Sequence, residues 1–267
     1  MPSWLNGEWV EDPRLDSSDR GFTLGDGLFE TIRLAEGRPR HLPRHLARLV
    51  EGSRVLDLPL PAAIFALEAV IAELARRNDQ SDGVVRLTLS RGPAPRGLLP
   101  PAEPRPTLLL TLAPLPPPPG PARLVIATVT RRNEFSPLSR LKTLNYLDNL
   151  LARQEAARRG ADDALLLNGQ GRAADTTIAT LFVRFGGRVV TPPVSEGALP
   201  GVARALALEA GLAEERTLTV ADLAQAEAIV LANSLGARAV IALDDRPVFP
   251  CDALTCAVIT VLRDGAG

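Results

Sequence analysis

Leu141-Lys142-Thr143-Leu144-Asn145-Tyr146 contains the only lysine and the only tyrosine of a 267-residue chain. The chain carries thirty basic residues, so the other twenty-nine are arginine. A guanidinium stays protonated and does not attack a carbonyl, whereas a desolvated amine can lose its proton and form an imine. Arginine can therefore replace lysine on a solvated surface but not as a Schiff-base nucleophile. One lysine kept beside one tyrosine marks this segment as a candidate for covalent amine chemistry. The competing reading is compositional drift that left one lysine by accident.

Working outward, 46% apolar and 23% charged residues describe an ordinary globular composition, and the length allows one large or two modest domains. A formal net charge of -1 and dispersed arginines give no basic field for nucleic acid, so a small-molecule substrate is expected. Met1-Pro2-Ser3-Trp4-Leu5-Asn6 lacks a basic flank and apolar core, and no membrane-length apolar run occurs, so a cytoplasmic protein is expected. Cys251 and Cys256 do not make a disulfide framework or a metal site. The two histidines, His41 and His45, fall in an arginine-rich helix and poorly support a triad or bound zinc.

The run from Pro114 to Pro121, with six prolines and a glycine, cannot be helix interior or central strand. It reads as a linker over 114–121 between a small α/β domain, 1–113, and a larger domain, 122–267. In the first, strands are expected over 28–34, 84–90 and 107–112, with helices over 43–56 and 62–78. Ile64, Leu67, Ile71 and Leu74 give the second helix a buried face. In the second domain, strands are expected over 124–130, 164–168, 181–185, 188–191, 228–231 and 239–243. Glycine turns at 169–171 and 186–187 separate three of them. A helix over 146–159 would pack through Leu147, Leu150, Leu151 and Ala157, and a helix over 200–210 would begin on Pro200. The pattern predicts an α+β, two-domain protein.

Several motifs now add up. Asp19-Arg20-Gly21-Phe22-Thr23-Leu24-Gly25-Asp26-Gly27-Leu28-Phe29-Glu30-Thr31 is a glycine-punctuated turn running into a strand. His45-Leu46-Ala47-Arg48-Leu49, the segment from Gly171 through Asp175 to Phe182, Leu199-Pro200-Gly201-Val202-Ala203-Arg204 and Asn233-Ser234-Leu235-Gly236 follow in order around the lysine segment. Nearly the whole chain resembles the class IV aminotransferases. These fold-type IV pyridoxal phosphate enzymes include branched-chain and D-amino acid aminotransferases and aminodeoxychorismate lyase. The resemblance implies a small α/β N-terminal domain, a larger C-terminal pseudo-barrel domain, pyridoxal 5'-phosphate as cofactor and a homodimer.

It also implies roles. Lys142 would hold the cofactor as a Schiff base and move protons at the substrate's amine-bearing carbon. Arg48 would clamp the phosphate with a fixed, forked donor. Val202 and Ala203 would offer main-chain N–H groups at a helix start; the family usually has threonine where this chain has Ala203, so a hydroxyl contact is lost. Ser234 would be a further phosphate donor. Tyr146 would bond the cofactor's phenolic oxygen, or else simply pack on a helix start. Asp175 stands where the family has glutamate against the pyridine nitrogen, and Thr180 where it has asparagine. Aspartate is one methylene shorter, so the backbone moves in, a water intervenes, or the electron sink weakens.

For the substrate, the resemblance implies an apolar pocket with Phe29, Leu98 and Leu235, and Arg96 near a carboxylate. Ser90-Arg91-Gly92-Pro93-Ala94-Pro95-Arg96-Gly97 resembles the D-amino acid branch, although Leu98 replaces that branch's histidine; the lyase branch accommodates the same residues. Amino-group transfer between an amino acid and a 2-oxo acid is the reading favoured from sequence. Pyruvate elimination giving 4-aminobenzoate is the alternative. An inactive homologue is suggested by Asp175, Ala203 and Thr180, but the retained sole lysine argues against it.

Overall fold

The structure, a computed structural model, describes residues 1–264. They form two compact units. The first comprises Met1–Pro116 and Leu141–Asn145; the second comprises Pro117–Arg140 and the chain from Tyr146 onward. The lysine segment therefore belongs to the first unit and not, as the linear division 122–267 assumed, to the second.

In the first unit, strands β1 (Ser3–Leu5) and β2 (Glu8–Val10) precede a short helix α1 (Arg20–Leu24). Then come β3 (Gly27–Ala35), β4 (Arg38–Pro39), α2 (Leu42–Leu56), α3 (Leu67–Arg77), β5 (Gly83–Ser90) and β6 (Thr107–Ala113). The strands form one sheet in the order β2-β1-β6-β5-β3-β4. Residues 62–66, expected as the start of the second helix, form a 3-10 turn before α3. On β3, Leu28, Ile32 and Leu34 alternate into a core with Leu42 and Leu49 of α2 and Leu67, Ile71 and Leu74 of α3. The odd-numbered residues Phe29 and Thr31 consequently take the opposite face.

The lysine segment docks on the N-terminal end of β3. Phe29 N donates to Lys142 O at 2.9 Å and Leu144 N donates to Gly27 O at 3.0 Å. Asn145 secures the far end, its Nδ2 donating to Gly25 O at 2.9 Å. Gly27 permits this approach: a Cβ there would lie 2.4 Å from Leu89 O and 2.7 Å from the Leu144 side chain.

The second unit contains β7 (Ala122–Ile126), α4 (Leu147–Arg158), β8 (Asp163–Leu167), β9 (Ala173–Thr176), β10 (Thr180–Phe185) and β11 (Arg188–Thr191). These are followed by α5 (Val202–Glu209), β12 (Glu214–Glu215), α6 (Val220–Leu223), β13 (Ala228–Asn233), β14 (Gly236–Leu243), β15 (Arg246–Pro247) and α7 (Asp252–Asp264). Its sheet runs β12-β11-β10-β13-β14-β7-β8-β9, with β15 on β14. β7 is parallel to both β14 and β8, while β10, β13 and β14 are antiparallel. No helix among the described residues is long and apolar enough to cross a membrane.

Three expectations for this unit change. The strand expected over 124–130 ends at Ile126, because the Glu155 carboxylate takes the Thr128 and Val129 N–H groups away from any ladder. Leu147, Leu150, Leu151 and Ala157 do not pack inward; α4 buries Asn149, Ala152, Glu155 and Ala156 instead. Alanines let the helix close on Val125, Ala164 and Leu166 more tightly than leucines would. Pro200 precedes the helix, which is N-capped by Gly201 and begins at Val202. The fold is α+β.

Gly27→Ala should lower stability by about 2 kcal/mol through overpacking against β5 and the lysine segment. Urea denaturation checks this; an unchanged midpoint would show that the close approach is not a constraint.

Candidate active site

Each unit contributes its own set of candidate residues. In the first, Lys142 Nζ lies 4.2 Å from the centroid of the Phe29 ring, and Arg86 Cζ lies 3.9 Å from the same centroid. Lys142, Phe29 and Arg86 therefore share the sheet face opposite the helix-covered core. A buried ring flanked by two cations favours both through its quadrupole. Arg86 was not anticipated; alternating with Val85 and Leu87, it looks in sequence like an ordinary outward strand residue.

Arg48 meets β3 from the helix side. Its Nε donates to Glu30 Oε1 at 2.8 Å and its Nη2 to Oε2 at 2.6 Å. His45, one turn earlier on α2, places Nδ1 at 2.7 Å from the same Oε2. Glu30 is fully buried and His45 nearly so. Burial opposes charge on Glu30, but the Arg48 guanidinium and the two hydrogen bonds overcome it and hold the carboxyl at about 2. Burial acts on His45 in the other direction, lowering its pKa despite the carboxylate beside it. The imidazole is then neutral at pH 7, with Nδ1 carrying the proton that it donates to Glu30. Glu30 had a sequence signal: it falls in register with Leu28 and Ile32, so a charge was bound for the core and required a partner.

Arg96 and Leu98 lie together on an exposed loop of this same unit, with Leu98 85% exposed. They are not gathered with Lys142 by any contact within the unit.

In the second unit, Asp175 sits on β9, 5% exposed. Arg132 forks onto it, Nε to Oδ1 at 2.9 Å and Nη2 to Oδ2 at 3.1 Å, and Leu199 N donates to Oδ2 at 3.2 Å. Burial disfavours the Arg132 charge, yet Asp175 and the nearby Tyr146 and Asp148 raise its pKa. The carboxylate is thus fixed by a cation that nothing in the sequence singled out.

The start of α5 lacks a side-chain cap, so the first N–H groups, those of Val202 and Ala203 among them, are not satisfied by a capping oxygen. A Cβ on Gly201 would lie 2.8 Å from Thr180 Oγ1. Thr180 pairs with Ala232 on β13, and the strand leads directly into the turn bearing Ser234 and Leu235. There Leu235 N donates to Asn233 Oδ1 at 2.9 Å, and Asn233 Nδ2 to Ile178 O at 3.4 Å. Thr180, the α5 start and the Ser234 turn therefore converge at one end of the sheet. Tyr146 is the N-cap residue of α4, half-buried, and contributes to the field at Arg132.

Because Glu30 titrates at about 2 in the fold against an ordinary 4.5, its contribution is complete above pH 4.5 and is lost as pH falls toward 2. Glu30→Gln should cost on the order of 3 kcal/mol at pH 7, leaving Arg48 without its buried counter-charge. Denaturation of both proteins across pH checks this. The gap should narrow below pH 4.5, and a constant gap would contradict the assigned pairing.

The chain is similar to known proteins over most of its length. It is 37% identical to a solved 4-amino-4-deoxychorismate lyase from Pseudomonas aeruginosa, with a TM-score of 0.85 and 98% of each chain covered. It is 33% identical over 261 residues to a Methanocaldococcus jannaschii protein named for branched-chain-amino-acid aminotransferase activity, covering 94% of this chain and 88% of that one. A D-alanine aminotransferase from Bacillus licheniformis is 28% identical, with 88% and 85% covered. The family profile described as Amino-transferase class IV matches residues 27–243, and the chain belongs to that family.

Proposed function

We propose that this class IV enzyme carries pyridoxal 5'-phosphate on Lys142 and acts as a 4-amino-4-deoxychorismate lyase, releasing pyruvate and 4-aminobenzoate. The similarity to the P. aeruginosa lyase carries the choice of reaction, since it extends over 98% of both chains. Amino-group transfer is favoured on sequence alone; this similarity supports elimination instead.

The residues present fit the cofactor. An uncapped helix start suits a phosphate, and Gly201 leaves beside Thr180 the space that a Cβ would fill. Ser234 and Arg48 add donors, and Tyr146 is assigned the phenolic oxygen. Asp175 is assigned the pyridine nitrogen. It is shorter than the family's glutamate, but the Arg132 fork and Leu199 N fix its position. When bound, the cofactor accepts the electrons left as a proton departs from the amine-bearing carbon.

Lys142 takes that proton, because it is the chain's only side-chain amine and its segment is fixed to β3 by main-chain hydrogen bonds at Lys142 and Leu144. Arg86, on the same ring as Lys142, is placed to attract a substrate carboxylate, and Arg96 is assigned a second. A dicarboxylate substrate uses both. Phe29, Leu98 and Leu235 are the apolar walls.

Amino-group transfer is the second reading. It is favoured by the similarity to the M. jannaschii protein and served by the same proton movement at Lys142.

Incubation with 4-amino-4-deoxychorismate should yield pyruvate and 4-aminobenzoate in equal amounts, while D- and L-amino acids with a 2-oxo acid turn over slowly. Rapid exchange among amino acids with no 4-aminobenzoate would assign transfer instead. Lys142→Arg should lower kcat about a thousandfold or more in either reaction and abolish the cofactor's visible absorbance, while far-ultraviolet circular dichroism stays unchanged. Near-normal turnover in a folded Lys142→Arg protein would remove Lys142 from the chemistry.

A further inference from the structure

Arg20 opens α1 in the glycine-punctuated turn and is 5% exposed. Its Nε donates to Asp26 Oδ2 at 2.7 Å. Nη1 donates to the carbonyls of Gly97 at 2.9 Å and Leu99 at 3.3 Å, and Nη2 donates to the carbonyl of Leu98 at 2.9 Å. One buried side chain thus grips three successive peptide carbonyls. Asp26 Oδ2 also accepts from Arg91 Nε at 2.8 Å. Arg91 in turn donates to the carbonyls of Leu56 and Asp57, each at 2.7 Å, at the C-terminal end of α2. Both arginines hold the Asp26 carboxyl below its ordinary pKa, against the opposing effect of burial.

The gripped loop has little else to fix its middle. Leu98 and Leu99 are 85% and 87% exposed, so their side chains do not anchor it. Pro93, Pro95, Pro101 and Arg105, on either side of the gripped carbonyls, border a cavity of about 890 Å³ together with Trp4 and Leu60, so the loop's flanks do not rest on packed core there. Its ends are secured separately, by Arg20 N donating to Gly92 O at 2.9 Å and Thr107 Oγ1 to Asp19 Oδ2 at 2.7 Å. Between those ends Ala94 N donates to Ser18 O at 3.3 Å, and Arg20 grips the Gly97, Leu98 and Leu99 carbonyls.

We propose that Arg20 is a positioning residue for substrate selectivity: through the Gly97, Leu98 and Leu99 carbonyls it sets where Arg96 and Leu98 stand, without touching substrate. The inference rests on the reading of Arg96 and Leu98 as substrate contacts. A guanidinium can serve Asp26 and the carbonyls together because its donors are fixed in one plane. An ammonium can keep the ion pair but cannot span the three carbonyls. Losing the grip leaves the loop to be ordered when substrate binds, a cost that appears in KM and not in the chemical step.

The test uses full-length holoenzyme in the wild-type, Arg20→Lys, Arg20→Gln and Arg96→Gln forms. Arg20→Lys retains a charge beside Asp26 and guards against misfolding. Tryptic cleavage at the Arg96–Gly97 bond, identified by mass spectrometry, should become roughly tenfold faster or more in both Arg20 variants as local opening becomes easier. KM should rise roughly tenfold while kcat and cofactor absorbance stay within about twofold of wild type. Arg96→Gln should also raise KM. Unchanged cleavage in the Arg20 variants overturns the clamp itself. Faster cleavage with KM raised only by Arg96→Gln overturns the positioning role and leaves the substrate contacts standing. Faster cleavage with KM unmoved in every variant overturns the reading of Arg96 as a contact, and the inference falls with it.

Discussion

Two main-chain hydrogen bonds, Phe29 N to Lys142 O and Leu144 N to Gly27 O, govern the placement of the chain's only side-chain amine. They return five residues to a sheet built almost wholly from the first 116. Backbone pairing fixes the direction of a side chain more firmly than a loop could, because strand register decides which face each residue takes. Here it puts Lys142 on the Phe29 side of β3, away from the helices. Gly27 is the condition for this, and the glycine-rich turn before β3 serves the docking of a segment more than a hundred positions later.

Three acidic residues organise the cations of the two units, Glu30 and Asp26 in the first and Asp175 in the second. Each is largely buried and each accepts hydrogen bonds from at least one arginine. Such pairs add little net stability over a well-packed apolar alternative, but removing one partner leaves a charge stranded in a poor solvent. Their value is geometric. A forked arginine on a buried carboxylate has a restricted orientation, as with Arg48 on Glu30 and Arg132 on Asp175, and Asp26 anchors Arg20 through its Nε. In a chain that replaced lysine with arginine everywhere but once, that rigidity is available at many positions.

The features legible in sequence were those with a local signal. Lys142 stood out by composition. The long strands and α2 and α3 followed from apolar periodicity, and the family emerged from motif order. Less legible was anything decided by partners distant in sequence. The apolar residues of α4 suggested a face of Leu147, Leu150, Leu151 and Ala157, yet Ala152 and Ala156 are buried instead because the helix sits close to β8. The strand expected over 124–130 stops early because Glu155, from α4, captures its N–H groups. Arg132 and Arg86 looked like two among many arginines, since only the folded chain reveals Asp175 or the Phe29 ring beside them. The proline run suggested a clean division of the chain, but no local feature of residues 141–145 announces their return to the first sheet.

That return makes the N-terminal unit discontinuous, which matters for anyone wishing to divide the protein. A fragment ended in the proline run would retain the helices, the apolar core and six strands. It would nevertheless leave the edge of β3 at Gly27 to Phe29 uncovered, with main-chain donors and acceptors ready to pair with any extended peptide. Such a piece would be sticky rather than autonomous, and a short synthetic strand bearing the lysine sequence would be its natural complement. The segment that holds the chain's only lysine is also the cap that keeps this sheet from recruiting its neighbours.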